Sequence, residues 1–113
     1  MHELSIALGI VRIAEEESRK AKAKAVKSIE LEIGSMAGIE MDSLDFAWPV
    51  AVKDTVLEHA NREIDLIPAK AKCLECQTEY DIEHIFDACP NCNSYFKDIY
   101  QGKELRVKAL EVE

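Results

Sequence analysis

The stretch Cys73-Leu-Glu-Cys76, followed after twelve residues by Cys89-Pro-Asn-Cys92, decides the fold expected for this chain. Each Cys-x-x-Cys pair forms a tight knuckle that points two thiolates at one ion. Two such knuckles complete a tetrahedral site with Zn–S bonds of about 2.3 Å. A segment this short buries too little apolar surface to fold without a crosslink. The spacing therefore predicts a zinc ribbon over residues 71–97, held by a closed structural zinc site.

Other interpretations of the four cysteines remain open. Four thiolates in a tetrahedron also suit iron, as in a rubredoxin-like electron carrier, and two redox disulfides are a further alternative. A catalytic zinc is disfavoured because four thiolates leave no position for water. His84 lies between the two pairs and is either an alternative ligand or, as we favour, a plain surface residue.

The residues around the knuckles carry two further expectations. Gln77 and Asn93 stand where a ribbon commonly has glycine, so both are expected at positive φ, with some strain at the glutamine. The aromatic residues of this segment could stack on nucleic-acid bases, but packing against the knuckles is the favoured use. These aromatic residues are Tyr80, Phe86, Tyr95 and Phe96.

Composition and charge restrict the classes of partner. The 113 residues are 48% hydrophobic and 32% charged, values typical of a single globular domain. The net charge of −8 opposes binding to nucleic acid or to an anionic membrane. The chain has no apolar run near the roughly 20 residues that span a bilayer, and its start lacks the basic region of a secretory signal. We therefore expect a cytoplasmic protein, whose reduced cysteines bind metal.

Apolar spacing predicts two helices and three strands around the ribbon. Pro49, inside the second helix, is expected to cause a kink or an irregular first turn near Asp45 and Phe46. The expected class is α+β, with a three-stranded sheet, two helices and the inserted ribbon. The elements are a helix from Leu4 to about Lys24, a strand from Ser28 to Ile33, a helix from Asp42 or Ser43 to about Ala60, a strand from Arg62 to Ile67, and a last strand through Leu105, Val107 and Ala109 that rejoins the main sheet.

A second candidate metal site lies at Met1-His2-Glu3. An α-amine, the first backbone amides and a nearby imidazole can form successive chelate rings. Square-planar nitrogen donors suit Ni²⁺ and Cu²⁺. From this pattern alone, a frayed terminus with a histidine that binds nothing is the favoured interpretation.

A resemblance to a known family favours metal binding at this terminus instead. Five segments, in order along the whole chain, resemble the HypA family of hydrogenase maturation nickel chaperones. They are Met1-His-Glu-Leu-Ser5, Ile33-Gly34, Ile39-Glu-Met-Asp-Ser-Leu-Asp-Phe-Ala47 and the two cysteine pairs. The resemblance implies a nickel-binding α/β domain formed by residues 1–70 and 98–113, with the zinc ribbon of residues 71–97 inserted before its last strand.

The resemblance also implies the ligands. Nickel would be bound by the His2 side chain and by backbone nitrogens of the first residues, which correspond to His2 and Glu3. A carboxylate after the first strand would complete the site. Glu40 occupies that position, with Asp42 as the fallback, although either residue could simply cap the second helix. Zinc would be bound by Cys73, Cys76, Cys89 and Cys92.

The implied function is that of a metallochaperone and not an enzyme. Ni(II) would be transient cargo, Zn(II) a structural cofactor, and the recipient the precursor of a [NiFe]-hydrogenase large subunit. Implied partners are the HypB GTPase and, in some organisms, urease maturation proteins, with the chain itself a monomer or weak homodimer. The main rival is a zinc-ribbon adaptor that binds proteins without a second metal. No nucleophile arrangement or Gly-rich phosphate loop favours an enzyme.

Overall fold

A computed structural model describes residues 2–113, which form two compact units. One unit consists of the residues up to Leu31 together with Ile39–Asp65 and Arg106–Glu113, and the other of Glu32–Gly38 and Leu66–Leu105. The elements in chain order are α1 (Glu3–Lys20), β1 (Val26–Gly34), α2 (Met41–Val52), β2 (Asn61–Ile67), β3 (Lys70–Cys73), β4 (Glu79–Asp81), β5 (Lys97–Gln101) and β6 (Leu105–Val112).

The expected fold class is confirmed. The strands form one three-stranded sheet with the order β2-β1-β6 and a second with the order β4-β3-β5. The last strand of the chain rejoins the main sheet, as its alternating pattern predicts. Together with the two helices and the clustered cysteines, this is an α+β fold that carries a zinc ribbon.

The core of the first unit follows from hydrophobic periodicity. In α1 the apolar residues recur at helical spacing, so they share one buried stripe. In β1 the alternate residues Ile29 and Leu31 are fully buried, while Glu30 between them is not. Leu44 of α2 is also fully buried. The buried apolar residues of α1 are Ile6, Ala7, Ile10, Val11 and Ala14.

Both helices are shorter than the sequence predicts. Helix α1 ends at Lys20 rather than near Lys24, and Lys22 has a φ of 56°. Residues 41–52 are helical without interruption, so the irregular first turn expected near Asp45 and Phe46 is absent, and the kink expected from Pro49 stays a prediction. The predicted extension of α2 to Ala60 is wrong, because the Thr55 hydroxyl donates to the Val52 carbonyl at 2.7 Å and residues 53–59 form turns. Neither helix is long and apolar enough to cross a membrane.

The second unit is built on β3, which pairs antiparallel with β4 and with β5. Its small apolar core contains Ala69, Ala71 and Ile82. Two glycines allow close backbone contacts beside this core. A Cβ on Gly34 would lie 2.0 Å from the Gly102 carbonyl oxygen, and a Cβ on Gly102, whose φ is +111°, would lie 2.5 Å from Ala69 Cα. Glycine at these two positions is therefore a steric requirement.

The second unit has wider bounds than the ribbon expected at residues 71–97. It also contains Glu32–Gly38, which is the end of β1 with the turn that follows, and all of β5, which pairs with β3 and was not among the predicted strands. The domain boundaries themselves stay a prediction.

Candidate metal centres

The two cysteine pairs converge on one point. Their four sulfurs all lie within 4.8 Å of one another. The Sγ–Sγ distances are 3.5 Å from Cys73 to Cys92 and 3.6 Å from Cys76 to Cys89. A tetrahedron of sulfurs around zinc has edges of about 3.8 Å, whereas a disulfide bond is about 2.05 Å long. The sulfur positions therefore fit four ligands of one metal ion, and the residues form no disulfide in this structure.

Backbone hydrogen bonds shape each knuckle. In the first, the Cys73 amide donates to the Thr78 carbonyl at 2.8 Å, and the Gln77 amide donates to the Cys73 carbonyl at 3.0 Å. The second repeats the pattern, with Cys89, Ser94 and Asn93 in the corresponding places and both bonds at 2.8 Å. The positive φ expected after each knuckle is present, at 69° for Gln77 and 62° for Asn93. Short-range spacing therefore determines the form of this site.

Hydrogen-bond donors around the sulfurs favour thiolates. The Cys76 amide lies 3.5 Å from Cys73 Sγ, and the Asn91 amide lies 3.4 Å from Cys89 Sγ. The Thr78 hydroxyl lies 3.2 Å from Cys76 Sγ. Hydrogen bonds from the side chains of Thr78 and Asn91 and from the Thr78 amide lower the pKa of Cys76 to about 5. A thiolate with such a pKa is ready to bind metal at neutral pH.

Mutual repulsion limits how many thiolates can exist without a cation. The Ser94 amide lowers the pKa of Cys92, but the Cys73 sulfur, burial and the other two sulfurs together raise it to about 12. A divalent ion at the centre reverses this balance, because it deprotonates the thiols that bind it. Cys73 and Cys89 are fully buried. A closed four-sulfur set with two buried members is suited to a structural zinc ion.

The neighbours of the ribbon differ from expectation in one respect. Tyr80 packs against the small core of the second unit, but the other three aromatic side chains are exposed: Phe86, Tyr95 and Phe96. The prediction that these three pack against the knuckles is therefore wrong. His84 is exposed and is not part of the cysteine cluster.

The N-terminal residues meet the start of α2. The Glu40 amide donates to Glu3 Oε2 at 3.2 Å. This contact, before any other cause, holds the pKa of Glu3 below its ordinary value. Glu40 occupies the N-cap position of α2 but makes no side-chain cap hydrogen bond, and Asp42 lies inside the first turn. The alternative that the side chain of Glu40 or Asp42 caps this helix is therefore wrong. The carboxylate of Glu3 binds this helix start instead, and the Glu40 side chain is exposed.

Helix α2 is also tied to β2, which fixes where its first turn lies. The Arg62 guanidinium of β2 pairs with Asp45 and lies 5.0 Å from the centre of the Trp48 ring. A guanidinium over an aromatic face combines cation–π attraction with stacking. Asp42 lies in the first turn of α2, one residue after Met41. These contacts position the exposed carboxylates of Glu40 and Asp42 at one end of α2.

The proposed nickel ligands do not form a closed cluster. In the described part of the chain, the cysteines are the only group of three or more candidate side chains whose ligand atoms converge. His2 is exposed at the N-cap of α1, where its carbonyl accepts the Ile6 amide at 3.2 Å. Met1, whose amine is part of the hypothesis, lies outside the described residues. The sequence analysis assigned a role to the backbone nitrogen of Glu3 but none to its carboxylate. The one signal for the carboxylate is that an acidic side chain is favourable in the first turn of a helix.

Comparison with known proteins identifies the family of the chain. A family profile described as "Hydrogenase/urease nickel incorporation, metallochaperone, hypA" matches residues 1–112. Proteins named hydrogenase maturation factor HypA from Azotobacter chroococcum and Alkalilimnicola ehrlichii are 44% and 42% identical over 113 residues, and each match covers all of both chains. The solution structure of the Ni metallochaperone HypA from Helicobacter pylori has the same fold, with a TM-score of 0.71 at 23% identity over 99% of this chain and 97% of that one.

Proposed function

The chain belongs to the HypA family of hydrogenase/urease nickel incorporation metallochaperones, and we propose that it binds Ni(II) at its N-terminus and releases it for the maturation of [NiFe]-hydrogenase. The proposed ligands are the His2 imidazole, the backbone nitrogens of His2 and Glu3, and the Glu40 carboxylate. Nickel is the cargo of this site. Zinc, bound by Cys73, Cys76, Cys89 and Cys92, supports the fold of the ribbon.

The observation that carries the proposal is the contact between Glu3 and Glu40. Residues 37 positions apart in sequence are joined by a hydrogen bond of 3.2 Å from the Glu40 amide to the Glu3 carboxylate. An ion bound by the backbone nitrogens of His2 and Glu3 would therefore lie close to Glu40. The direct contact of Glu3 with Glu40 supports Glu40 over Asp42 as the completing ligand.

Exposure of these groups suits a site that must give up its ion. His2 and Glu40 are exposed, so a partner can approach the bound nickel from solvent. Amine, imidazole and amide nitrogens coordinate the ion only when deprotonated, and binding must therefore release protons. This ligand set is suited to binding and releasing an ion, and transfer of the ion requires no catalytic step by the chain itself.

The finer statements about partners rest on the family. We propose that the HypB GTPase and the precursor of the hydrogenase large subunit receive or assist the transfer, with urease maturation proteins as additional partners in some organisms. We propose the cytoplasm as the location, since both the reduced cysteines and the hydrogenase precursor fit that compartment.

Native mass spectrometry of zinc-loaded protein with a free N-terminal amine tests the proposal. We expect one added Ni²⁺ per chain, lost in His2→Ala and kept in His59→Ala, a matched control because the His59 side chain is 92% exposed. Nickel bound equally by His2→Ala and the unmodified protein would contradict the ligand set. A protein that binds zinc but no nickel would favour the zinc-ribbon adaptor instead.

A further inference from the structure

The second unit exposes an apolar surface that metal binding does not use. Phe86 and Phe96 are 81% and 68% exposed, and Leu74, Ile85 and Tyr95 are each more than half exposed. We name these five residues the ribbon patch. Single exposed apolar residues are common on proteins, but a group of them with three aromatic rings is typical of a binding surface.

Contacts within the second unit bring the segments of the ribbon patch together. The Leu74 amide donates to the Phe96 carbonyl at 3.0 Å, and the Lys97 ammonium donates to the Ile85 carbonyl at 2.6 Å. The Phe96 amide donates to the Ser94 hydroxyl at 3.1 Å, next to the second knuckle. Three separate segments of sequence are therefore joined by hydrogen bonds within the second unit. Segments that are already held together lose less entropy when a partner binds.

The charge around the ribbon patch restricts what can cover it. Residues 74–98 contain six carboxylates and a single ammonium, that of Lys97, so carboxylates remain in clear excess. Two of the carboxylates, Glu75 and Asp87, directly follow the patch residues Leu74 and Phe86. This field repels nucleic acid and anionic lipid headgroups. It also repels a second copy of this chain, which would present the same acidic rim.

We propose that the ribbon patch is a docking site for a polypeptide segment of a partner protein in which apolar side chains stand beside Lys or Arg. The apolar residues of that segment cover Phe86 and Phe96, and its cations face Glu75 and Asp87. Such complementarity raises the rate and the specificity of association, while the aromatic residues supply most of the affinity. The proposal does not depend on nickel binding at the N-terminus.

Selection from a random twelve-residue peptide library, with the zinc-loaded full chain as bait, tests the proposal. Counter-selection uses the double variant Phe86→Ser, Phe96→Ser, whose changes remove exposed rings and leave the cysteines intact; its zinc content and amide NMR spectrum verify its fold. We expect the enriched peptides to combine apolar residues with Lys or Arg. Amide chemical shifts that change with one such peptide are expected at residues 74, 85–86 and 95–97.

A matched control separates the ribbon patch from general stickiness. Phe46 on α2 is 85% exposed, so Phe46→Ser removes an equally exposed ring elsewhere. We expect a selected peptide to bind the double variant at least about tenfold more weakly, with the affinity for Phe46→Ser unchanged. Equal binding by the double variant, enrichment of acidic peptides or no enrichment would overturn the proposal. Self-association of the chain, or its binding to anionic vesicles, would do the same if the double variant abolished it.

Discussion

The two proposed metal centres of this protein are assembled in different ways. In the cysteine site, the backbone hydrogen bonds that shape each knuckle join residues only four or five positions apart, and the two knuckles share one hydrogen-bond pattern. In the N-terminal site, the key contact joins Glu3 to Glu40 across 37 positions. The first site is a closed set of four sulfurs with two of its members buried, whereas the side chains proposed for the second site, those of His2 and Glu40, are exposed at helix starts. Local assembly suits a permanent structural ion, and long-range assembly at the surface suits an ion that leaves.

The largest effect is expected from breaking the local site. Cys73→Ser removes a fully buried ligand, and structural zinc contributes about 10 kcal/mol or more to the folding of small domains. We expect the variant to lose its zinc, measured by inductively coupled plasma mass spectrometry. We also expect it to lose amide NMR dispersion for residues 66–105. His84→Ala is the control and should keep one zinc per chain, because His84 is not part of the cysteine cluster. A Cys73→Ser protein with one zinc per chain would show that this cysteine is dispensable.

The same contrast explains what the sequence could predict. The knuckles, the positive φ at Gln77 and Asn93, and the alternation in β1 follow from residues close together in sequence, and all are confirmed. The end of α2 at Val52 was not predicted, because the hydrogen bond that ends it comes from Thr55, a residue outside the helix. The Glu3–Glu40 contact was not predicted, because no local sequence pattern shows which helix N-terminus an acidic side chain will contact. Exposure of Phe86 and Phe96 was missed because composition does not show which side of a short segment is covered.

The second effect concerns the support of the ribbon rather than its ligands. In Gly102→Ala the new Cβ would meet Ala69 Cα at 2.5 Å, at a φ of +111°. We expect a loss of at least about 2 kcal/mol in the free energy of unfolding, measured by urea denaturation of zinc-loaded protein. Gly38→Ala, at a φ of +78° with no atom within 4 Å of the new Cβ, separates backbone strain from the clash, and a smaller loss of about 1 kcal/mol is expected there. Equal losses in the two variants would show that the contact with Ala69 contributes nothing.

The third effect tests the long-range site. Glu40→Ala removes the proposed completing carboxylate, whereas Asp42→Ala removes the fallback from the same first turn of α2. We expect Glu40→Ala to weaken Ni²⁺ binding by at least about tenfold, because even the loss of a group that only supports a metal ligand typically costs that much. We expect Asp42→Ala to leave Ni²⁺ binding unchanged. Isothermal titration of both variants, zinc-loaded and with a free amine, measures the difference. The opposite order would transfer the ligand role to Asp42, and equal losses would indicate that the helix start acts only through its charge.

The smallest effect concerns the hydrogen bond that brings the two parts of the nickel site together. Because the Glu40 amide lowers the pKa of Glu3 from its ordinary value of 4.5, the folded state is stabilised by the ionised carboxylate. That stabilisation is fully present above pH 4.5 and is lost as the pH falls through the lowered pKa. We expect Glu3→Gln, free of nickel, to unfold at a slightly lower urea concentration than the unmodified protein at pH 7, and the difference to shrink towards acidic pH. Glu16→Gln is the control, since the Glu16 carboxylate pairs only weakly with Lys20 at 3.9 Å on the exposed side of α1. A Glu3→Gln difference that grew as the pH fell would mean that the protonated carboxyl is the form favoured by folding, which would contradict acceptance of a hydrogen bond from the Glu40 amide.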